Sequence, residues 1–144
     1  VRAELGLAQG FERFRARGHP IEVEATFDDA ADWIEEQKRP FFAFVQTYHV
    51  HAPYDPEGPA RERLVRPYAG DLGRAVRVAA VPDVDSDVPT DDADRRYMSD
   101  LYDAEVAELD AAVGALLRRL EDAGVLDDTL VILTSDHGEE FGDH

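Results

Sequence analysis

The stretch Thr129-Leu130-Val131-Ile132-Leu133-Thr134, running directly into Ser135-Asp136-His137-Gly138, decides the reading of the fold. It is short, rich in β-branched residues and apolar on both alternating sets. A strand covered on both faces, as in a parallel sheet, has that pattern. Upstream, Phe41-Phe42-Ala43-Phe44-Val45-Gln46-Thr47 has the same character and predicts a second buried strand. It is ended by Tyr48-His49-Val50-His51-Ala52-Pro53-Tyr54-Asp55-Pro56, where the prolines stop it.

Between them lies the clearest helical pattern in the chain. Met98, Tyr102, Val106, Leu109, Val113, Leu116, Leu117 and Leu120 share one face at a period of 3.6. Arg118, Arg119, Glu121 and Asp122 fill the opposite face, and Gly124 sits where a helix-ending glycine belongs. The helix is expected to begin between Thr90 and Ser99 and to end near Ala123. A shorter helix is expected from Phe27 to Gln37, with Thr26 as N-cap and Pro40 as stop. From Glu57 to Thr90 the chain is charged and irregular, with short pieces expected at Arg61–Arg66 and Gly73–Val78. A connection of that length suits a lid or binding loop.

Strand, connection with helix, and strand make a βαβ unit, so the fold class is α/β. Two parallel strands end on one edge of their sheet, and ligands collect at that carboxyl edge. The topology therefore brings His49 and His51 to the same rim as Ser135, Asp136 and His137, about 85 residues further on.

At the rim, the Asp136 carboxylate beside the His137 imidazole is a half-shell for a divalent cation, with Gly138 letting the backbone turn. The alternative is that Asp136 caps a following helix and His137 is a solvated loop residue. A cation takes about four to eight ligands, so further donors are required. His51 suits donation to an anionic oxygen or protonation of a leaving group; the alternative is a histidine bonded to a loop carbonyl. His49 alternates to the opposite direction along an extended segment. Glu139 and Glu140 read as first-turn helix acids. Asp83-Val84-Asp85-Ser86-Asp87 begins like a calcium loop, but Val88 stands where glycine is required and Asp94 where glutamate is. Ser135-Asp136-His137 is not a catalytic triad, whose members converge from separate positions.

The sequence has 144 residues, with 15 basic against 32 acidic and a formal charge of −17. That balance excludes a basic nucleic-acid-binding stripe and electrostatic attachment to anionic membranes. Without cysteine there is no disulfide, thiolate metal site or thiol nucleophile in these residues. No apolar run reaches the ~18 residues of a membrane span. Val1 is followed by no signal-peptide pattern.

Taken in order, Gly10-Phe11, the Pro40–Val45 segment, Thr47, His51-Ala52-Pro53-Tyr54, Tyr102, Asp110, Val113-Gly114, Leu120, Gly124–Asp128 and Thr129–Glu139 closely resemble the sulfatase family of the alkaline-phosphatase superfamily. The resemblance implies an alkaline-phosphatase-like α/β sandwich with a mixed, largely parallel central sheet. It implies hydrolysis of sulfate esters at a divalent metal ion, most often Ca2+, with a sulfate-ester substrate. On it, Asp136 and His137 match metal ligands, many members having Asp-Asn there. His51 matches the histidine that contacts the sulfate and assists the leaving group, so it is both the catalytic and a substrate-binding candidate. His144 matches a histidine near the substrate pocket.

The family's nucleophile, a formylglycine made from Cys or Ser in a Cys/Ser-x-Pro-Ser/Thr-Arg motif, has no counterpart in residues 1–144. Nor have its N-terminal paired aspartates or its lysine beyond the Ser-Asp-His-Gly segment; the one lysine is Lys38. Residues 1–144 are therefore expected to be a central segment of a sulfatase catalytic domain, truncated at both ends and inactive alone, with formylglycine in an N-terminal part. The rival within the superfamily is a phosphodiesterase, phosphonate hydrolase or phosphoethanolamine transferase using Mn2+, Mg2+ or Zn2+. The rival of another class is a non-catalytic acidic module that binds cations or a partner.

Overall fold

The computed structural model describes residues 6–16, 23–73 and 91–141. The chain folds around one long helix. Among the described residues, three α-helices, α1 (Val23–Glu35), α2 (Gly58–Leu64) and α3 (Asp92–Asp122), are followed by a 3-10 turn at Leu126–Asp128. At 1.5 Å per residue, the 31 residues of α3 make a rod of ~46 Å.

Both ends of α3 are closed by their own sequence. Asp91 is extended and its carboxylate accepts the amides of Ala93 and Asp94 at 2.7 and 2.9 Å, satisfying donors that have no partner inside the helix. At the other end Gly124 takes φ +70°. Its amide donates to Glu121 O (2.8 Å), and that of Val125 donates to Leu120 O (2.9 Å). This is the paired arrangement that ends a helix on a left-handed residue, and Val125 packs against the same cluster as Leu120.

The two halves of α3 carry different partners. α1 lies along the C-terminal half: Val23 and Phe27 pack on Ala112, and Ala31 and Ile34 pack on Leu120. The order of these contacts makes α1 run in the same direction as α3. Arg119 ties the pair, donating to Glu35 (2.6 Å) and Asp32 (2.6 Å). α1 starts four residues earlier than the capping pattern predicts, which puts Thr26 inside the helix rather than at its cap. The fully buried Val23 rewards helix formation through packing on Ala112, and packing outweighs capping preference.

The N-terminal half of α3 receives α2 and the residues after it. Tyr97, Met98 and Leu101 form a cluster with Tyr54, against which Val65, Tyr68 and Leu72 pack. Tyr68 stacks on Tyr97 with centroids 4.1 Å apart. This half also buries Asp94, Asp100 and Glu105, each of which finds a partner: Tyr68 donates to Asp94, Arg66 to Asp100, and the Asp55 amide to Glu105. Consequently the buried face is not the purely apolar stripe expected, and Val106 is exposed.

The α/β expectation is corrected in one respect. Among the described residues there is no strand, and neither 41–47 nor 129–134 is paired into one. A strand exists only where its backbone groups meet a neighbouring strand, and these two segments find no strand partner among the described residues. Most of their side chains face solvent, with Phe42, Leu130, Ile132 and Leu133 each more than 70% exposed, whereas Phe41 packs on Trp33. Residues 74–78 of the piece expected at Gly73–Val78, the Asp83–Asp87 loop and His144 lie outside the described residues.

Candidate active site

Two loops meet over the middle of α3. The first follows residues 41–47 and holds His49 and His51; the second follows 129–134 and holds Asp136 and His137. Both line one shallow cavity of about 70 Å³, with Thr47, His51, Asp136, His137 and Glu139 on its walls and Tyr102 of α3 among them. Among the described residues the two clusters meet without a sheet edge: α3 side chains hold the first loop, and Tyr54 reaches from it to Glu139 of the second.

The first loop is pinned to α3 by carboxylates one turn apart. Glu105 accepts the amide of Asp55 at 2.8 Å, and Glu108 accepts that of Glu57 at 2.8 Å. The other Glu108 oxygen meets His49 Nε2 at 3.1 Å. His49 therefore turns to the helix while His51, two residues on, faces the cavity. A cis peptide joins Ala52 to Pro53, and Tyr54 is fully buried.

The tautomers of the two cavity histidines follow from their neighbours. His51 Nδ1 lies 2.8 Å from the carbonyl of Ala52, and His137 Nδ1 lies 2.6 Å from that of Gly138. A carbonyl only accepts, so in each ring Nδ1 carries the proton and Nε2 keeps its lone pair in the neutral form. His51 is thus bonded to a loop carbonyl, one of the two readings given above, and that bond leaves the lone pair on Nε2. The bond to Gly138, with Asp136 beside it, raises the His137 pKa above the usual imidazole value.

Asp136 and His137 fit a divalent cation as a partial shell. Asp136 Oδ2 and His137 Nε2 are 4.0 Å apart, within the span open to two ligands of one ion at about 2.3–2.6 Å each. Both are solvent-accessible, and Nδ1 of His137 is already held by a backbone carbonyl, as metal-binding histidines are. Among the described residues no three His, Asp or Glu side chains form a complete site.

Asp136 caps no helix, because residues 137–140 are irregular. Its Oδ1 accepts the amide of His137 at 3.1 Å, and Ser135 Oγ donates to the carbonyl of His137. For the same reason Glu139 is not a first-turn helix acid. It accepts the hydroxyl proton of Tyr54, joining the second loop to the first. Sequence reading alone missed Tyr54, Tyr102 and Glu139 as site-forming residues. The available signal was two aromatic residues, Tyr54 and Phe141, each within five residues of a polar cluster; Tyr102 gave none of that kind, and the three rings lie 5.7–6.1 Å apart, edge to face.

The family model described as Sulfatase matches residues 8–144. The chain is 31% identical over 109 residues to the multifunctional alkaline phosphatase superfamily protein PehA of Trinickia caryophylli, covering 73% of this chain and 21% of that protein. It is 27% identical over 118 residues to an ulvan-active sulfatase of Formosa agariphila, covering 82% and 22% respectively. It is 48% identical over 54 residues to the N-sulphoglucosamine sulphohydrolase of Homo sapiens, covering 38% and 11%. The chain spans about a fifth of the length of the first two. No solved structure gives a significant match. The chain belongs to the sulfatase family of hydrolases.

Proposed function

We propose that these residues are a central segment of the catalytic domain of a metal-dependent sulfuric ester hydrolase. The observation that carries the reading is the convergence of His51 and the Asp136–His137 pair on one cavity, in a chain of this family. Asp136 and His137 supply an oxygen and a nitrogen ligand to a divalent cation, Ca2+ by family resemblance. The cation, when bound, neutralises charge on the sulfate oxygens. His51 Nε2 is directed to the sulfate ester, where in the imidazolium form it donates to an anionic oxygen or protonates the departing alkoxide. His144 is proposed as a further substrate contact. The nucleophile, formylglycine in this reading, comes from outside residues 1–144, so the segment alone is inactive. In the same reading, 41–47 and 129–134 are strands of the domain's mixed, largely parallel α/β sheet.

The sulfatase names of two relatives support a sulfate ester as substrate. The superfamily name of PehA supports a second reading, a phosphoryl-transfer enzyme using Mn2+, Mg2+ or Zn2+ at the same residues. The deciding test is hydrolysis of an aryl sulfate and of an aryl phosphodiester by the full-length enzyme, wild type against Asp136→Ala and His51→Ala. Asp136→Ala is expected to abolish both metal content and turnover. His51→Ala is expected to lower turnover by about 10²–10⁴-fold at unchanged metal content. Diester hydrolysis without sulfatase activity selects the second reading. Metal binding with neither activity selects the non-catalytic module.

A further inference from the structure

The two loops of the site are not held alike. Glu105, Glu108 and His49 fix the first loop directly to α3. In the second loop, the described hydrogen bonds of residues 135–139 stay within the loop and its immediate neighbours, with one exception: the Tyr54 hydroxyl donates to Glu139 Oε2. Tyr54 is three residues beyond His51, and Glu139 two beyond His137. Among the described hydrogen bonds of residues 135–139, this one therefore spans the two halves of the cavity.

The ring beneath this bond has no freedom. Tyr54 is fully buried in the cluster with Tyr97, Met98 and Leu101, and its ring meets those of Tyr102 and Phe141 edge to face. Phe141 closes the second loop's far end on the same cluster. Burial and the neighbouring Glu139 carboxylate push the Tyr54 pKa well above that of an ordinary phenol, so the hydroxyl remains a donor.

We propose that Tyr54 is a positioning residue: through its hydroxyl on Glu139 it sets the placement of the Asp136–His137 pair relative to His51. The metal role of that pair rests on the sulfatase reading; the placement does not. A buried tyrosine with a rigid ring is well suited to the task, because the only degree of freedom left at its tip is rotation of the O–H.

The test is amide hydrogen exchange of the full chain, comparing wild type, Tyr54→Phe, Glu139→Ala and Glu139→Gln. Tyr54→Phe keeps the ring and removes the bond, so the amides of residues 136–139 are expected to exchange about 3–10-fold faster, with those of α1 unchanged. Glu139→Ala is expected to do the same. Glu139→Gln keeps an accepting oxygen and is expected to retain wild-type protection. Wild-type exchange in the loop of Tyr54→Phe overturns the proposal. Acceleration that extends through α1 also overturns it, since Tyr54 is then a general core residue. Calorimetric titration with CaCl2 forms the second arm: Tyr54→Phe is expected to weaken Ca2+ binding by about 10–100-fold. A wild-type chain that takes up no Ca2+ while its loop still responds to Tyr54→Phe counts against the metal reading and supports the positioning role.

Discussion

Glu105 accepts the backbone amide of Asp55, 50 residues earlier in the chain, with one carboxylate oxygen at 2.8 Å, while its other oxygen is buried with no partner. The pair anchors the His51 loop to α3, and the same burial disfavours the charge that makes Glu105 a good acceptor.

That conflict predicts an unusual pH dependence. Burial, aided by the repulsion of Glu108, Asp55 and Glu139, raises the Glu105 pKa from 4.5 to about 8. Between these values the folded chain holds a proton that the unfolded chain has released. The contribution of Glu105 is thus fully present below pH 4.5 and is lost as pH rises to about 8, with a slope of up to ~1.4 kcal/mol per unit. Glu105→Gln keeps the acceptor for Asp55 and cannot ionise. Urea unfolding from pH 5 to 9 is expected to show wild-type stability falling and that of the variant staying flat. Parallel curves would show that Glu105 titrates normally.

Asp100 provides the opposite sign on the acid side. It is buried, and Arg66 donates to it from both its guanidinium and its backbone amide. These bonds hold the carboxyl below the usual aspartate value, the side-chain bond contributing most. Its stabilisation is present above the unfolded pKa and is lost as pH falls through the depressed folded value. Asp100→Asn is expected to lower the Tm by several degrees at pH 7 and to match wild type below pH 3. An undiminished gap in acid would mean that packing, rather than charge, sets the effect.

The sequence made α3 legible because its apolar residues recur over several turns and Gly124 marks its end, while its start was bracketed only to Thr90–Ser99 and proves to be capped by Asp91. It did not reveal Asp94, Asp100 and Glu105 as buried, because their partners, Tyr68, Arg66 and the Asp55 amide, lie 26 to 50 residues away in a stretch without periodicity. The site was legible for a reason only partly realised. Sheet topology pointed His51 and Asp136–His137 to one rim, whereas among the described residues the meeting depends on helix carboxylates and on Tyr54. Strand pairing is a property of several segments together, so the apolar content of 41–47 and 129–134 alone leaves it undetermined.

The α3 cap offers a sharper test of local energetics. Asp91 Oδ1 accepts two amides, and Ala has no side-chain oxygen to accept either. Asp91→Ala is therefore expected to lower unfolding free energy by about 1 kcal/mol. Asp91→Ser keeps an accepting oxygen and should recover most of the loss. Equal losses in the two variants would mean that the charge near the helix N-terminus, and not the hydrogen bonds, is responsible.

A last pair of substitutions separates packed core from exposed apolar surface. Leu101 is fully buried among Tyr54, Tyr97 and Met98, whereas Leu133 is 79% exposed. Both changes to Ala remove the same atoms, so hydrophobicity scales alone give them one cost. With a cavity left behind, Leu101→Ala is expected to cost about 2–5 kcal/mol. Leu133→Ala in the same chain loses few contacts and should stay within about 0.5 kcal/mol of wild type. Denaturant melts at one pH decide the matter. A loss above ~2 kcal/mol at Leu133 would require residues 129–134 to be covered in solution, and would make that segment part of a core that α3 alone does not provide.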